Sequence, residues 1–581
     1  MKFFHVYNDE CFEGWEKNGM INHDTGFKLQ NVFCVPKERQ FNNIAKIGGE
    51  FHSLIKEGKF PMYVDRIAGG VVYYKYDYDK KLIREYENIL GDEFLGFQLH
   101  ESASNRRGGD WVWLRQRIGS DGPYDVELIK ERFFAKNRTA VDGQPLYGFT
   151  QGSPEEYAAL RYAETPAEFV EEMRGAFRNY LKRTDGHILM VDSTYLMPRV
   201  ELELGMKTFM PEIGNQGRCF INLMLAFTRG MAENAGKKWG AYYECWDATR
   251  LENGKWACTM PCFNDDPINE WYLSQEQHGD DFTTHGPNGG SSRLVQNRIY
   301  YYALMSGAHY FSEEWGLNCS YSDMKEYVLS PYGEVKKDFI NTAVNLRGIK
   351  AVTPFAIVLP KDYETLEIST EAERGLPIKC THKYLDGKIT DDEYRRFSHV
   401  EDVFYTTLVH EEYNLGNESN AIMNSPHGNV FDIIYEDAPR EVLEKYAYLI
   451  DADIDGSFAK KNADSGLKIL ESDDLEKLDA ELKIRIPEVM PVYVSGLCWL
   501  VSTDEGGKQY LSIFNNDGNT RTREKGDVVD SAADRVVDVK FKKPTDIKIV
   551  KQGNFTSEIA RVDETAYKIK VPATGFIIME I

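Results

Sequence analysis

The sequence predicts an α/β chain built as a (β/α)8 barrel, followed by a small open α/β domain and a C-terminal β-sandwich. Three observations predict it. Eight short apolar runs alternate with amphipathic helical stretches or long loops over the first 350 residues, and eight is the number that closes such a barrel. After 350 the pattern becomes a strand–helix–strand unit. From about 490 it becomes short alternating strands with Asn, Asp and Gly turns. At 581 residues the chain is too long for one core, and the pattern shifts divide it at 1–350, 351–485 and 486–581.

The elements follow in order. "KFFHVYND" (2–9) is the first strand, and "CFEGWEKNGMI" a helix after it. "FKLQNVFCVP" (27–36) is the second strand, and a helix over 40–57 leads to the third, "FPMYVDRIAGG" (60–70). The helical pattern "DKKLIREYENILG" delivers the chain into the fourth, "EFLGFQLHES" (93–102). A long insertion rich in Arg, Gly and Trp follows. Helix "PAEFVEEMRGAFRNYLKRT" then feeds "HILMVDST" (187–194), the fifth strand, and "KTFMPEIG" (207–214) is the sixth. A helix at about 218–235 precedes the seventh, "WGAYYECWD" (239–247). A second long loop and helix "SRLVQNRIYYYALMSG" lead to the eighth, "AHYFSEEWG" (308–316). In the second domain, "TPFAIVLP" (353–360) and "VFDIIYEDAPREVLEKYAYLIDAD" (430–453) suggest the flavodoxin type. "VYVSGLCWLVSTDEGGKQYLSIFNNDG" and "ATGFIIMEI" supply strands of the terminal sandwich.

Composition removes several classes of function. Ninety-two acidic against 69 basic residues give a net charge of −23, which repels phosphate backbones and excludes nucleic acid as a partner. No apolar run reaches membrane-spanning length, and the start "MKFFHVYNDECF" is too short in apolar residues for a signal peptide, so a cytoplasmic location is expected. The nine cysteines are scattered. "CTMPC" (Cys258, Cys262) with His278 and His285 downstream fits no zinc spacing, so no metal is expected, and the thiols read as free and buried. No glycine-rich phosphate loop follows a strand, since "GGSSR" at 289–293 lacks the preceding strand, and no organic cofactor is implied. An aromatic content of 13%, with 34 Tyr and 9 Trp, suits surfaces that handle carbohydrate, and large cores as well.

In a barrel of this type the active site lies at the carboxyl ends of the strands. Here those ends are acidic: Asp65 on the third strand, Glu101 on the fourth, Asp192 on the fifth, Glu212 on the sixth, Glu244 on the seventh, and Glu313 and Glu314 on the eighth. A ring of acids at one mouth is costly to hold ionised and points to acid–base chemistry or cation binding. Glycoside hydrolysis needs two carboxyl groups facing each other across the scissile bond. Strands four and seven stand opposite one another, which pairs Glu101 with Glu244. The apolar approach "FLGFQL" would desolvate Glu101 and raise its pKa, as a general acid requires. Tyr242, Tyr243 and Trp246 are expected to shape the pocket around Glu244, Trp246 and Trp315 to stack on a sugar, and Asp192 and Glu212 to contact its hydroxyls. Asp65 and Arg66 read as a structural or substrate-orienting pair, and His100 and His309 as mouth histidines that bind a hydroxyl or are satisfied in the interior. Each of these acids could instead cap a helix or pair with an arginine.

A barrel with a strand-four Glu and a strand-seven Glu resembles the retaining glycosidases of glycoside hydrolase clan A. The order barrel, flavodoxin-like domain, β-sandwich is similar to the family 42 type of β-galactosidase. "GKKWGAYYECW", a loop, and "RLVQNRIYYYALMSGAHYFSEEWG" look like that group's strand seven, helix and strand eight. The resemblance implies a glycosidase acting on a carbohydrate substrate, with Glu101 as acid/base and Glu244 as nucleophile, and a homo-oligomer with contacts through the second domain. The sequence departs from the clan where His100 stands in place of the usual Asn before the acid/base, and it has no zinc-type cysteine cluster. Two further readings stay open: a different acid pair, Asp192 or Glu212 with Glu314, or a barrel that only binds glycans.

Overall fold

A computed structural model describes residues 1–7, 9–30, 40–68, 72–74, 78–100, 123–131, 138–139, 145–148, 155, 158–159, 166–191, 198–214, 221–244, 249–250, 256–257, 292–314, 320–323, 326–363, 391–408, 425–522 and 526–581. Eight parallel strands follow the chain around one curled sheet: β1 (Lys2–Val6), β2 (Thr25–Gln30), β3 (Met62–Ala68), β4 (Phe94–His100), β5 (Ile188–Val191), β6 in two segments (Thr208–Phe209 and Glu212–Gly214), β7 (Gly240–Glu244) and β8 (Tyr310–Glu314). Each pairs with the next, and β8 returns to β1 with Lys2 opposite Tyr310. The seam lies at β6. Its first segment pairs with β5 and touches β7 through Phe209 and Trp239, and its second pairs with β7 from Glu212 opposite Tyr242.

Local chemistry fixes the helices between these strands. Asp79 caps Lys80–Leu90 by accepting from the Lys81 amide at 2.8 Å. Ser292 caps Arg293–Met305 by accepting from Val295, and Ser330 caps Pro331–Ala343, whose proline occupies the first turn where no N–H is needed.

The barrel strands bury both faces, and the faces form separate clusters. Phe4, Tyr63, Leu95, Leu189, Val191, Met210, Tyr242 and Tyr310 pack with one another inside the barrel. Their neighbours, among them Phe3, Val64, Phe97, Tyr243 and Phe311, join the larger core against the helices. This is the period-2 alternation of a strand, with apolar groups on both sides.

One strand breaks the alternation. Leu95 lies with the interior cluster, yet Phe97 and Leu99 lie with the outer core. The residue between is Gly96, with φ of +98° and an irregular register against β3. A Cβ at Gly96 would stand 2.6 Å from the His187 carbonyl oxygen, so only glycine fits this bulge. The bulge rephases the strand, and its polar residues Gln98 and His100 take the interior side.

Beyond the barrel, Phe355–Leu359 is flanked by Phe431–Tyr435 and Tyr448–Asp451 in an all-parallel sheet, with Ile469–Leu470 at its edge. The C-terminal strands form a five-stranded and a four-stranded antiparallel sheet. Lys350–Ala351 pairs with Cys498–Thr503, so the chain touches the C-terminal sheet before entering the parallel one.

Helix Ile221–Asn234 lies between the barrel and the parallel sheet, and most of its residues are buried. Arg229 donates to Asp432 Oδ1 at 2.6 Å and to the Phe431 carbonyl at 2.8 Å. Gly230 permits the close approach, since a Cβ there would meet the Ile433 carbonyl at 2.4 Å.

Candidate active site at the barrel mouth

Above the apolar interior cluster, toward the carboxyl ends of the strands, the interior becomes polar. Lys28 of β2, Asp65 of β3, Gln98 and His100 of β4, Glu212 of β6, and Ser312 and Glu314 of β8 are all buried there. Strand parity places several of them: Asp65 two residues after Tyr63, Glu212 two after Met210, and Ser312 and Glu314 two and four after Tyr310.

These residues tie the strands together. Lys28 Nζ is 3.7 Å from Asp65 Oδ2, donates to the Glu313 carbonyl at 2.5 Å, and stands 5.5 Å from the Tyr242 ring centroid. Tyr63 and Ser312 share a hydrogen bond of 2.6 Å across the interior. His100 Nε2 lies 3.4 Å from Glu314 Oε1 and 3.6 Å from Glu212 Oε1, and its Nδ1 is 2.9 Å from the Gln98 amide nitrogen. The His100 ring meets the Tyr242 ring edge-on at 5.6 Å. Buried carboxylates this close to one another are stable only with a cation, a proton or strong donors nearby.

The structure thus brings His100, Glu212 and Glu314 together, with Asp65 in the same polar layer. Asp65 is paired with Lys28; Arg66, the expected partner, is described in its backbone alone. Glu244 is likewise described in its backbone, which ends β7 in register with Gly214 and Glu314. Glu101, Asp192, Trp246 and Trp315 lie outside the described residues.

Two expected site residues stand elsewhere. Tyr243 belongs to the outer core, its ring against Tyr300 and Phe311, because it is one residue out of phase with Tyr242. It is packing between sheet and helices rather than pocket wall. His309 sits at the amino end of β8, at the opposite end of the barrel from the mouth. Its amide donates to the Trp239 carbonyl, and burial, with Lys238 close by, lowers its pKa to about 4. Glu93 lies at that end too, accepting from the Tyr310 hydroxyl and paired with Lys238.

Glu313 is also turned away from the mouth. It accepts from the Tyr300 hydroxyl and pairs with Lys336, on the helices outside the barrel. Lys28, Gln98 and Ser312 are polar-layer residues that the acid-ended strand pattern does not single out, whereas Tyr242, an expected pocket-wall residue, does face the interior. A lysine inside the apolar run "FKLQ" is the one signal that marks such a position, because an amine in a buried strand needs a partner.

Among the described residues, no helix is long and apolar enough to cross a membrane. No family model matches the chain, and no curated protein matches it. Solved structures similar to it include a β-galactosidase from the Antarctic haloarchaeon Halorubrum lacusprofundi, at 10% identity and TM-score 0.39. Alpha-L-fucosidase isoenzyme 2 from Paenibacillus thiaminolyticus is similar at 9% identity and TM-score 0.43, and an alpha-amylase from H. orenii at 8% and 0.31. In each case the likeness covers 100% of this chain and 99% of the other. The functional reading therefore rests on the residues at the mouth.

Proposed function

We propose that the chain is a glycoside hydrolase that cleaves its substrate by retaining double displacement, with Glu101 as acid/base and Glu244 as nucleophile. The observation that carries this reading is the buried polar layer of His100, Glu212 and Glu314 at the carboxyl ends of β4, β6 and β8. Two facts support it: Glu101 follows His100 directly in sequence, and the backbone of Glu244 ends β7 in register with Glu314.

The chemistry follows from two carboxyl groups about 5–5.5 Å apart. Ionised Glu244 attacks the anomeric carbon while Glu101 gives its proton to the departing glycosidic oxygen, leaving a glycosyl ester on Glu244. Glu101, now a carboxylate, takes a proton from water as that water attacks the same carbon, and Glu244 is released. Asp65, Arg66 and Asp192 would contact sugar hydroxyls, and Trp246 and Trp315 would stack on the ring. The reading extends to an exo-acting, cytoplasmic enzyme on oligosaccharides or glycoconjugates, with three domains divided near 350 and 485 and self-association through the second.

A second acid pair is favoured by one observation. Glu212 and Glu314 both belong to the described polar layer, and an oxygen of each lies within 4.8 Å of the other. That is far short of the roughly 6.5–9.5 Å an inverting pair needs, so this pair too would act with retention.

A panel of aryl glycosides tests both. Wild type should hydrolyse at least one of them, and Glu101→Ala and Glu244→Ala should each lose most turnover. With azide, Glu101→Ala should yield a glycosyl azide of retained configuration and Glu244→Ala one of inverted configuration. Full activity in Glu244→Ala, with loss in Glu212→Gln and Glu314→Gln, would transfer the roles to the second pair. Binding without turnover on every sugar would leave a glycan-binding barrel.

A further inference from the structure

His100, Glu212 and Glu314 come from three different strands, yet one ligand-capable atom of each lies within 4.8 Å of the other two, and all three residues are buried. We propose that this triad is a binding site for a divalent transition ion of the zinc or manganese class. One imidazole nitrogen and two carboxylate oxygens would hold the ion, with its remaining positions open toward the barrel mouth.

The spacing favours an ion over direct hydrogen bonding. His100 Nε2 is 3.4 Å from Glu314 Oε1 and 3.6 Å from Glu212 Oε1. Both exceed the usual 2.7–3.2 Å of an N–H···O bond. An ion with ligand bonds of about 2.1 Å in tetrahedral geometry has ligand–ligand edges of about 3.4 Å. Two edges of the triangle already have that length, and small side-chain rotations would close the third.

The partner on the far side of the ring is an independent observation. Gln98, fully buried, places its side-chain amide 2.9 Å from His100 Nδ1, while the amide oxygen has no hydrogen-bond partner among the described residues. The two amide atoms are told apart only by their hydrogen bonds. Exchanging them sets the carbonyl oxygen on Nδ1–H. That tautomer presents the Nε2 lone pair to the two carboxylates and is how ligating histidines are commonly oriented.

Charge points the same way. With His100 neutral, a dication matches the two carboxylates of Glu212 and Glu314. A histidine with two carboxylates suits borderline ions better than calcium or magnesium, which favour oxygen alone. If the glycosidase reading holds, the open positions would take sugar hydroxyl oxygens; the site itself does not depend on that reading.

Metal binding can be measured apart from any turnover. The full chain, stripped with a chelator, is titrated with zinc chloride and separately with manganese chloride, by calorimetry and by thermal melting. Wild type is expected to take up one equivalent and to melt higher with metal, an effect reversed by chelator. His100→Ala and Glu212→Gln should each weaken binding by about tenfold or more, and Gln98→Leu by a smaller factor. Circular dichroism of the variants identifies any that fail to fold, and the wild-type stoichiometry and melting shift stand without them. No uptake of either ion by wild type, or unchanged affinity in folded His100→Ala, would overturn the proposal. Loss of glycoside hydrolysis with metal uptake intact would overturn only the glycosidase reading.

Discussion

Glu313 and Glu314 are adjacent in sequence and stand on opposite faces of β8. Glu314 lies on the interior side, 3.4 Å from His100. Glu313 lies on the helix side, held by Tyr300 and Lys336. Their substitutions should therefore differ in kind. Glu313→Ala would remove the carboxylate that pairs with buried Lys336 and should cost about 3–5 kcal/mol in urea unfolding. Glu314→Gln should cost far less stability and should instead lower glycoside turnover. Equal effects of the two on stability would contradict this division.

Gly96→Ala should be damaging for a reason beyond its positive φ. Its Cβ would fall 2.6 Å from the His187 carbonyl oxygen, immediately before the next strand. Gly91 provides the comparison: it also has positive φ, at +55°, with nothing within 4 Å of an added Cβ. Gly91→Ala should cost about 1 kcal/mol and Gly96→Ala clearly more. Only the latter should also alter the mouth, because it disturbs the phase of Gln98 and His100. Melting curves and activity on the two variants check this.

The Arg229–Asp432 pair should behave as a buried pair between the barrel and the parallel sheet. Asp432→Ala removes the carboxylate from Arg229 and also from the hydroxyls of Thr353 and Tyr446, which donate to its other oxygen. A loss of about 3–5 kcal/mol is expected. The double replacement Arg229→Met with Asp432→Leu should be milder than Asp432→Ala alone, since it removes both charges of the pair together. A double-mutant cycle from chemical denaturation reads this directly.

Acid should destabilise the barrel through His5. Burial, with Lys336 close by, holds its pKa down from 6.5 to about 3 while its Nε2 faces the Met20 carbonyl and its ring stacks on Trp15. The folded state keeps the ring neutral, whereas the unfolded chain takes up a proton below 6.5. This contribution is therefore complete above pH 6.5 and is lost as pH falls toward 3, by about 1.4 kcal/mol per pH unit. His5→Gln should flatten that limb by one proton's worth in urea midpoints taken across the window. An unchanged slope would rule the histidine out.

Much of the barrel was legible because its strands are short, apolar and separated by clear helical patterns, and their acid ends drew attention to Glu212 and Glu314. What escaped depends on phase and direction. Tyr243 and Tyr242 look alike in sequence, and only parity about the strand sends one to the core and the other inside. His309 adjoins an acid-ended strand but enters at its start. In β4 even the parity rule fails, because the Gly96 bulge cannot be told from an ordinary glycine without the backbone. Lys28 was hidden by the apolar residues around it.

Helix Ile221–Asn234 sits in one apolar core shared by the barrel and the parallel sheet, and this bears on how the chain can be divided. A fragment ending near 350 would retain the eight barrel strands but strip the parallel sheet from this helix. Arg229 would lose the Asp432 carboxylate and apolar residues would be opened to water. The barrel's boundary in sequence is not a boundary in solubility, so a useful truncation would have to redesign that helix face or keep the sheet that covers it.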